Sequence, residues 1–229
     1  MPAPPPVLPA ADRQAVLPWL VVRLAAQPAC PVLRVAIDGV DGAGKTTLAD
    51  ELAVALHDLG RPVIRISADA FHAPRAVRYQ LGRDSPQGFY EASYDLDALR
   101  HEVLRPLSPS GSGLYRTAAF DVERDLPVLA APQKAEPGSI LLLDGLFLHR
   151  PELRAFWDDS VFLRVPFEVS VPRGAARGPG YGSPDPQAAS NRRYIEGNRL
   201  YFAHAQPEKH AGVVLDYTSL SRPQVLYAR

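Results

Sequence analysis

Residues 39 to 46, GVDGAGKT, most constrain what this chain can be. They satisfy the pattern GxxxxGKT between an apolar, β-branched run, VLRVAID (32–38), and an Ala/Leu-rich stretch at helical spacing, TTLADELAVALHDLG (46–60). Strand, glycine loop and helix are the context the pattern requires. Glycines let backbone amides turn inward as a nest for anions, and the helix that follows adds its positive end. Gly39, Asp41, Gly42, Ala43, Gly44, Lys45, Thr46 and Thr47 are therefore expected to cradle a nucleoside triphosphate. Lys45 would reach the β and γ phosphates, and the Thr46 hydroxyl would bind magnesium.

The remaining pattern predicts an α/β protein. RPVIRISA (61–68), SILLLDG (139–145), SVFLRV (160–165) and AGVVLDY (211–217) read as further strands, most of them unbroken apolar runs of the kind buried on both faces. Helical signals separate them, in PRAVRYQLG, SYDLDALRHEVLRPL (93–107) and PELRAFW. The expectation is a three-layer fold of the P-loop NTPase type: a mainly parallel five-stranded sheet with a small β flap, a pair of short strands, at 114–132. All 229 residues read as one domain, with a Pro-rich lead at 1–10 and an amino-terminal helix at 11–26. An exposed apolar face on that helix would suggest a homo-oligomer; a face turned inward would pack on the core.

Composition narrows the function classes. Lys plus Arg equals Asp plus Glu at 25 each, so there is no global basic field for nucleic acid or anionic membrane. One cysteine, Cys30, supplies neither an internal disulfide nor a thiolate metal site, and a cytoplasmic setting is the simplest expectation. Pro18 and Arg23 interrupt the amino-terminal apolar stretch, which reads neither as a leader nor as a span. A small-molecule substrate is the expected partner.

Phosphate binding alone does not separate a kinase from a switch. No NKxD guanine-reading sequence occurs. ISADAFHAPRAVRYQ (66–80) puts Asp69 just past the second strand, at the edge where open α/β sheets bind ligands. There it either caps the next helix or orients an acceptor hydroxyl for in-line attack.

Taken together, GVDGAGKTTLADELA, DAFH, YDLDAL, ILLLDGLFL and RGAARG resemble the uridine kinase and phosphoribulokinase group of P-loop kinases, in order from about residue 32 to 220. DGAGKTT is equally similar to thymidylate kinases. The resemblance implies ATP and Mg2+ as cofactors, Asp69 as the catalytic aspartate, and Asp144 at the position whose acid reaches magnesium. It also implies Tyr94 and Asp95 as the pair that packs on a nucleoside and holds its ribose, or Asp95 as an ordinary helix cap. The resemblance further implies a lid segment at 173–193, where Arg173 and Arg177 resemble lid arginines that neutralise phosphoryl charge, with Arg192 and Arg193 able to substitute. Gly178 stands where the family pattern has aspartate, and Pro172 interrupts the lid helix.

The acceptor is read two ways. DxFH, rather than DxFY, resembles phosphoribulokinases, and His72, Arg75, Arg78 and Arg83 would suit a phosphorylated sugar. YDLDAL and the flap resemble the nucleoside enzymes, with Tyr115 and Phe120 as stacking candidates. The whole reads most like a uridine kinase acting on a uridine- or cytidine-like nucleoside. Alternatives are a kinase of a sugar phosphate or of pantothenate, and a non-catalytic nucleotide-binding module. His149 and His57 are read as structural residues without companions.

Overall fold

The computed structural model describes residues 12–178 and 182–229; the expected lead and residues 179–181 of the lid lie outside them. Helix α1 (Arg13–Ala25) starts at Asp12, whose carboxylate accepts the Ala15 N–H, and leads to strand β1 (Leu33–Gly39). The glycine loop then runs into α2 (Lys45–Asp58), followed by β2 (Val63–Ser67) and a 3-10 turn, Ala68–Phe71. Short helices α3 (Arg75–Arg78), α4 (Pro86–Ala92) and α5 (Leu96–Leu99), the last continued by a π turn at Arg100–Leu104, lead to the flap. The flap nests β4 (Phe120–Asp121) and β5 (Leu126–Pro127) inside β3 (Leu114–Tyr115) and β6 (Gln133–Lys134). After it come β7 (Ile140–Gly145), α6 (Pro151–Arg154), β8 (Asp159–Arg164), α7 (Phe167–Ala175), α8 (Ala189–Ala205), α9 (Pro207–His210), β9 (Val213–Asp216) and β10 (Gln224–Ala228).

The expected five parallel strands form the sheet in the order β9-β8-β1-β7-β2, and β10 adds a sixth, antiparallel, beside β9. Period-two alternation sorts their side chains between two cores. Leu33, Val35 and Ile37 of β1 meet α1 and α2, while Ala36 joins Ile66, Phe71, Leu99 and Tyr201 on the opposite face. β1 and β7 are buried at every position, as unbroken apolar strands require, each large side chain contributing about 1.5–3 kcal/mol of burial.

Val16, Trp19, Leu20, Val21 and Leu24 of α1 are buried, so its apolar face packs on the core rather than offering a dimer surface. Pro172 does not end α7, which runs through it to Ala175. The longest helix, α8, has no counterpart in the sequence reading, although Ile195, Asn198 and Tyr201 are buried at helical spacing. Among the described residues no helix is long and apolar enough to cross a membrane.

Candidate active site

Parallel pairing brings the carboxyl ends of three strands together: Ile37 of β1 and Ser67 of β2 both lie opposite Asp144 of β7. The glycine loop leaves β1 at this edge. Gly42 and Gly44 take φ of +72° and +99°, which side-chain-bearing residues rarely adopt. A Cβ on Gly42 would also run into the Ser170 carbonyl, because α7 passes directly over the loop. Lys45 Nζ donates to the Val40 carbonyl at 2.9 Å and so folds back along the loop.

Thr46 Oγ1 donates to Asp144 Oδ2 at 2.7 Å, and the other carboxylate oxygen accepts from Arg65 Nη1 at 2.7 Å. Arg65 is held in turn by Asp50, at 2.8 Å. A hydroxyl and a carboxylate side by side at the end of the phosphate loop are the hard oxygen donors that suit magnesium. Among the described residues no group of three or more His, Cys, Asp or Glu could hold a metal, so an ion here would need phosphate and water as its other ligands.

A cavity of about 510 Å³ opens beside the loop, lined by Val40, Asp41 and Gly42 and by residues from the 3-10 turn, α3, α4, α7 and α8. Asp69 lies in its wall. Its side chain does not cap the turn, since Ser67 Oγ accepts the Asp69 N–H; instead Asp69 Oδ1 accepts from the Tyr94 hydroxyl at 3.0 Å. Burial, then the charges of Asp69 and Asp41, raise the Tyr94 pKa well above its ordinary value, so the phenol remains a donor. His72 completes this corner, its Nδ1 2.8 Å from the Asp69 carbonyl oxygen and its ring 4.8 Å from that of Tyr94.

Asp41 is open to solvent yet surrounded by protein within the cavity, and that desolvation raises its carboxyl pKa. Lys45 opposes the rise and Asp69 adds to it, while Asn198 of α8 approaches Asp41 Oδ2 at 3.4 Å. Basic groups share the same cavity. Arg78 and Arg177 line it, and Arg193 is buried there with its guanidinium over the rings of Tyr79 and Phe89. The two ends of Arg193 donate to the Arg83 carbonyl at 2.8 Å and the Arg78 carbonyl at 3.3 Å, which fixes α8 against the segment after α3. Ser170 Oγ, in the α7 wall, is buried and has no hydrogen-bond partner among the described residues.

Five expected contacts fall elsewhere. Asp95 is exposed and caps α5 by accepting the Ala98 N–H, the ordinary helix role, and it does not line the cavity. Arg75 is exposed at the start of α3, whose turn points Arg78 inward in its place. Tyr115 and Phe120 are buried and do not line the cavity: Tyr115 joins the core cluster of Phe71 and Leu99 with its hydroxyl donating to Gln133, and the strand of Phe120 lies against the 3-10 turn. Arg173 donates to the carbonyls of Tyr217 and Thr218 after β9, leaving Arg177 as the α7-side arginine of the cavity. His57 is exposed, whereas His149, read as without companions, is fully buried between charged and polar ones.

The chain is 31% identical over 185 residues to the thymidylate kinase of Xanthomonas campestris pv. campestris (strain B100), covering 78% of this chain and 74% of that one. A solved structure of a possible uridine kinase from Bacillus stearothermophilus superimposes with a TM-score of 0.70 at 25% identity, covering 88% of this chain and 97% of that one. The phosphoribulokinase from Rhodobacter spheroides shares the fold, with a TM-score of 0.57 at 14% identity over 82% of this chain and 70% of that one. No family model matches the chain.

Proposed function

We propose, for a chain that belongs to the P-loop kinases, that it transfers the γ phosphate of ATP to a hydroxyl of a nucleoside. The observation that carries this reading is the Asp69 carboxylate, held by Tyr94 in the wall of the cavity beside the phosphate loop. Tyr94 occupies one carboxylate oxygen and leaves the other for an acceptor O–H. Asp69 then orients that hydroxyl and takes its proton as the new P–O bond forms.

Lys45 turns from the Val40 carbonyl to the phosphates, and Arg177 neutralises charge on the transferred group. Thr46 and Asp144 are the residues that would hold magnesium, with Arg65 steadying Asp144. Bound there, magnesium would supply positive charge to offset that of the phosphate oxygens. Catalysis on this reading is positioning plus charge neutralisation.

Asp69→Asn keeps the shape and the Tyr94 contact but loses the base. It should lower phosphoryl transfer by about 10²- to 10⁴-fold while ATP binding stays nearly unchanged. Full transfer by this variant would sink the mechanism.

A second reading, an acceptor that already carries an anion, is favoured by Arg78 and Arg177 in the same cavity. Incubation with ATP and separate pools of nucleosides, nucleoside monophosphates, pentose phosphates and pantothenate distinguishes the two by which pool yields a stoichiometric phosphorylated product. Bound ATP with no phosphorylated product and no ADP from any pool would instead favour a non-catalytic nucleotide-binding module.

A further inference from the structure

Behind the glycine loop lies a buried polar chain that touches no part of the cavity. Asp38, the residue before Gly39, has no exposed surface, yet it sits in the middle of the sheet. Its Oδ1 accepts the Gly39 N–H at 2.7 Å. Its Oδ2 faces His149 Nδ1 at 2.7 Å, and the Tyr201 hydroxyl of α8 donates to it as well. On the far side of the imidazole, His149 Nε2 lies 2.9 Å from Ser160 Oγ of β8, which accepts the Gly212 N–H at 3.1 Å.

The carboxylate fixes one end of this chain. Asp38 can only accept, so His149 Nδ1 carries a proton and donates it to Oδ2. Gly212 has only a proton to give, so Ser160 accepts from it and keeps its own hydroxyl within reach of His149 Nε2. Tyr201 remains a phenol, because burial and then the Asp38 charge push its pKa well above the ordinary value. Each side-chain polar group of the chain is thereby satisfied.

Stability alone does not account for this. A buried charge network is commonly no more stable than apolar side chains of the same volume, and this one crosses a core otherwise built of Ile, Leu and Phe. It does fix geometry. The 38–39 peptide is the last one held by the sheet before the phosphate loop, and a Cβ on Gly39 would stand 2.8 Å from the Leu163 carbonyl, so this peptide has little room to turn.

We propose that His149 is a positioning residue for the phosphate loop: its Nδ1–H holds the Asp38 carboxylate, which holds the Gly39 amide and so sets the angle at which the loop leaves β1. The inference rests on the reading that the loop binds nucleotide. It is independent of the acceptor.

Two substitutions separate the halves of the imidazole. The amide of His149→Asn reaches where Nδ1 stood and can still donate to Asp38; that of His149→Gln reaches where Nε2 stood and serves Ser160 instead. Binding of Mg·ATP is measured by calorimetry, beside the melting temperature, for these two variants and Ser160→Ala. H149Q should weaken Mg·ATP binding on the order of tenfold, H149N and S160A much less, although all three lower the melting temperature. Equal Kd values for H149N and H149Q, or affinity that follows melting temperature across the set, would overturn the inference. Failure of the unsubstituted protein to bind Mg·ATP would overturn the donor reading along with it. Should H149Q not fold, nitrogen NMR of the imidazole in the unsubstituted protein decides the matter: a proton on Nδ1 is expected, and an unprotonated Nδ1 overturns the inference.

Discussion

Asp41 and Asp69 share one cavity, and their surroundings treat them differently. Protein around Asp41 disfavours its ionised form, whereas the Asp69 carboxylate is matched to a phenol donor. A carboxyl whose pKa is raised on folding costs stability once pH exceeds its unfolded value near 4, and costs nothing below it. Asp41→Asn should therefore raise the urea midpoint at pH 7 and leave it nearly unchanged at pH 3. An equal rise at both pH values would show that burial of charge is not the cause. At this scale motif and strand end pointed to the residues that the structure gathers at the glycine loop and its cavity: Lys45, Thr46, Asp69 and Asp144. The sequence concealed His149, because a histidine far along the chain from Asp38 and Tyr201 carries no local pattern that names its partners.

Among the elements, α8 does the most that its sequence did not announce. The stretch before it, GPGYGSPDP, reads as flexible, and the helix carries polar residues on its inner face, which weakens the apolar periodicity by which helices are found. Those polar residues are the ones that reach other parts of the molecule: Arg193 and Asn198 line the cavity, and Tyr201 reaches Asp38. Gly197 lets α8 lie close to α4, since a Cβ there would stand 2.6 Å from Phe89 Cδ1 and 2.9 Å from the Pro86 carbonyl. Gly197→Ala should accordingly cost about 1–3 kcal/mol in denaturant unfolding, more than helix propensity alone would return. The flap shows the opposite case. Its alternation points to one pair of strands within 114–132, whereas the structure has two short pairs and closes the outer one at Gln133–Lys134, beyond that range; nor does alternation say whether an aromatic residue meets a ligand or packs inside the protein.

For the whole molecule, the five-strand parallel sheet was legible because each of its strands is short, apolar and bounded by turns. β10 was not, since half-exposed Gln224 and Tyr227 lack that signal and its pairing with β9 is set by tertiary contact. The edge opposite the cavity is closed by Arg23 of α1, which donates to Asp159 of β8 at 2.9 Å and to the Arg229 carbonyl at 2.8 Å, both charges being nearly buried. Asp159→Ala would leave Arg23 buried without its counter-charge and should cost about 3–5 kcal/mol, read from equilibrium unfolding, with nucleotide affinity unchanged.

The wall of the cavity has a division of labour with an evolutionary consequence. Groups assigned to phosphate and proton handling come from the glycine loop and the ends of β2 and β7, where sheet register fixes them. Those that would meet the far end of an acceptor come from α3, α4 and α8, a helical layer joined to the sheet mainly by side-chain packing. Descendants of such a chain can drift from one acceptor to another by exchanging residues in that layer, while the chemistry they inherit stays anchored in the strands.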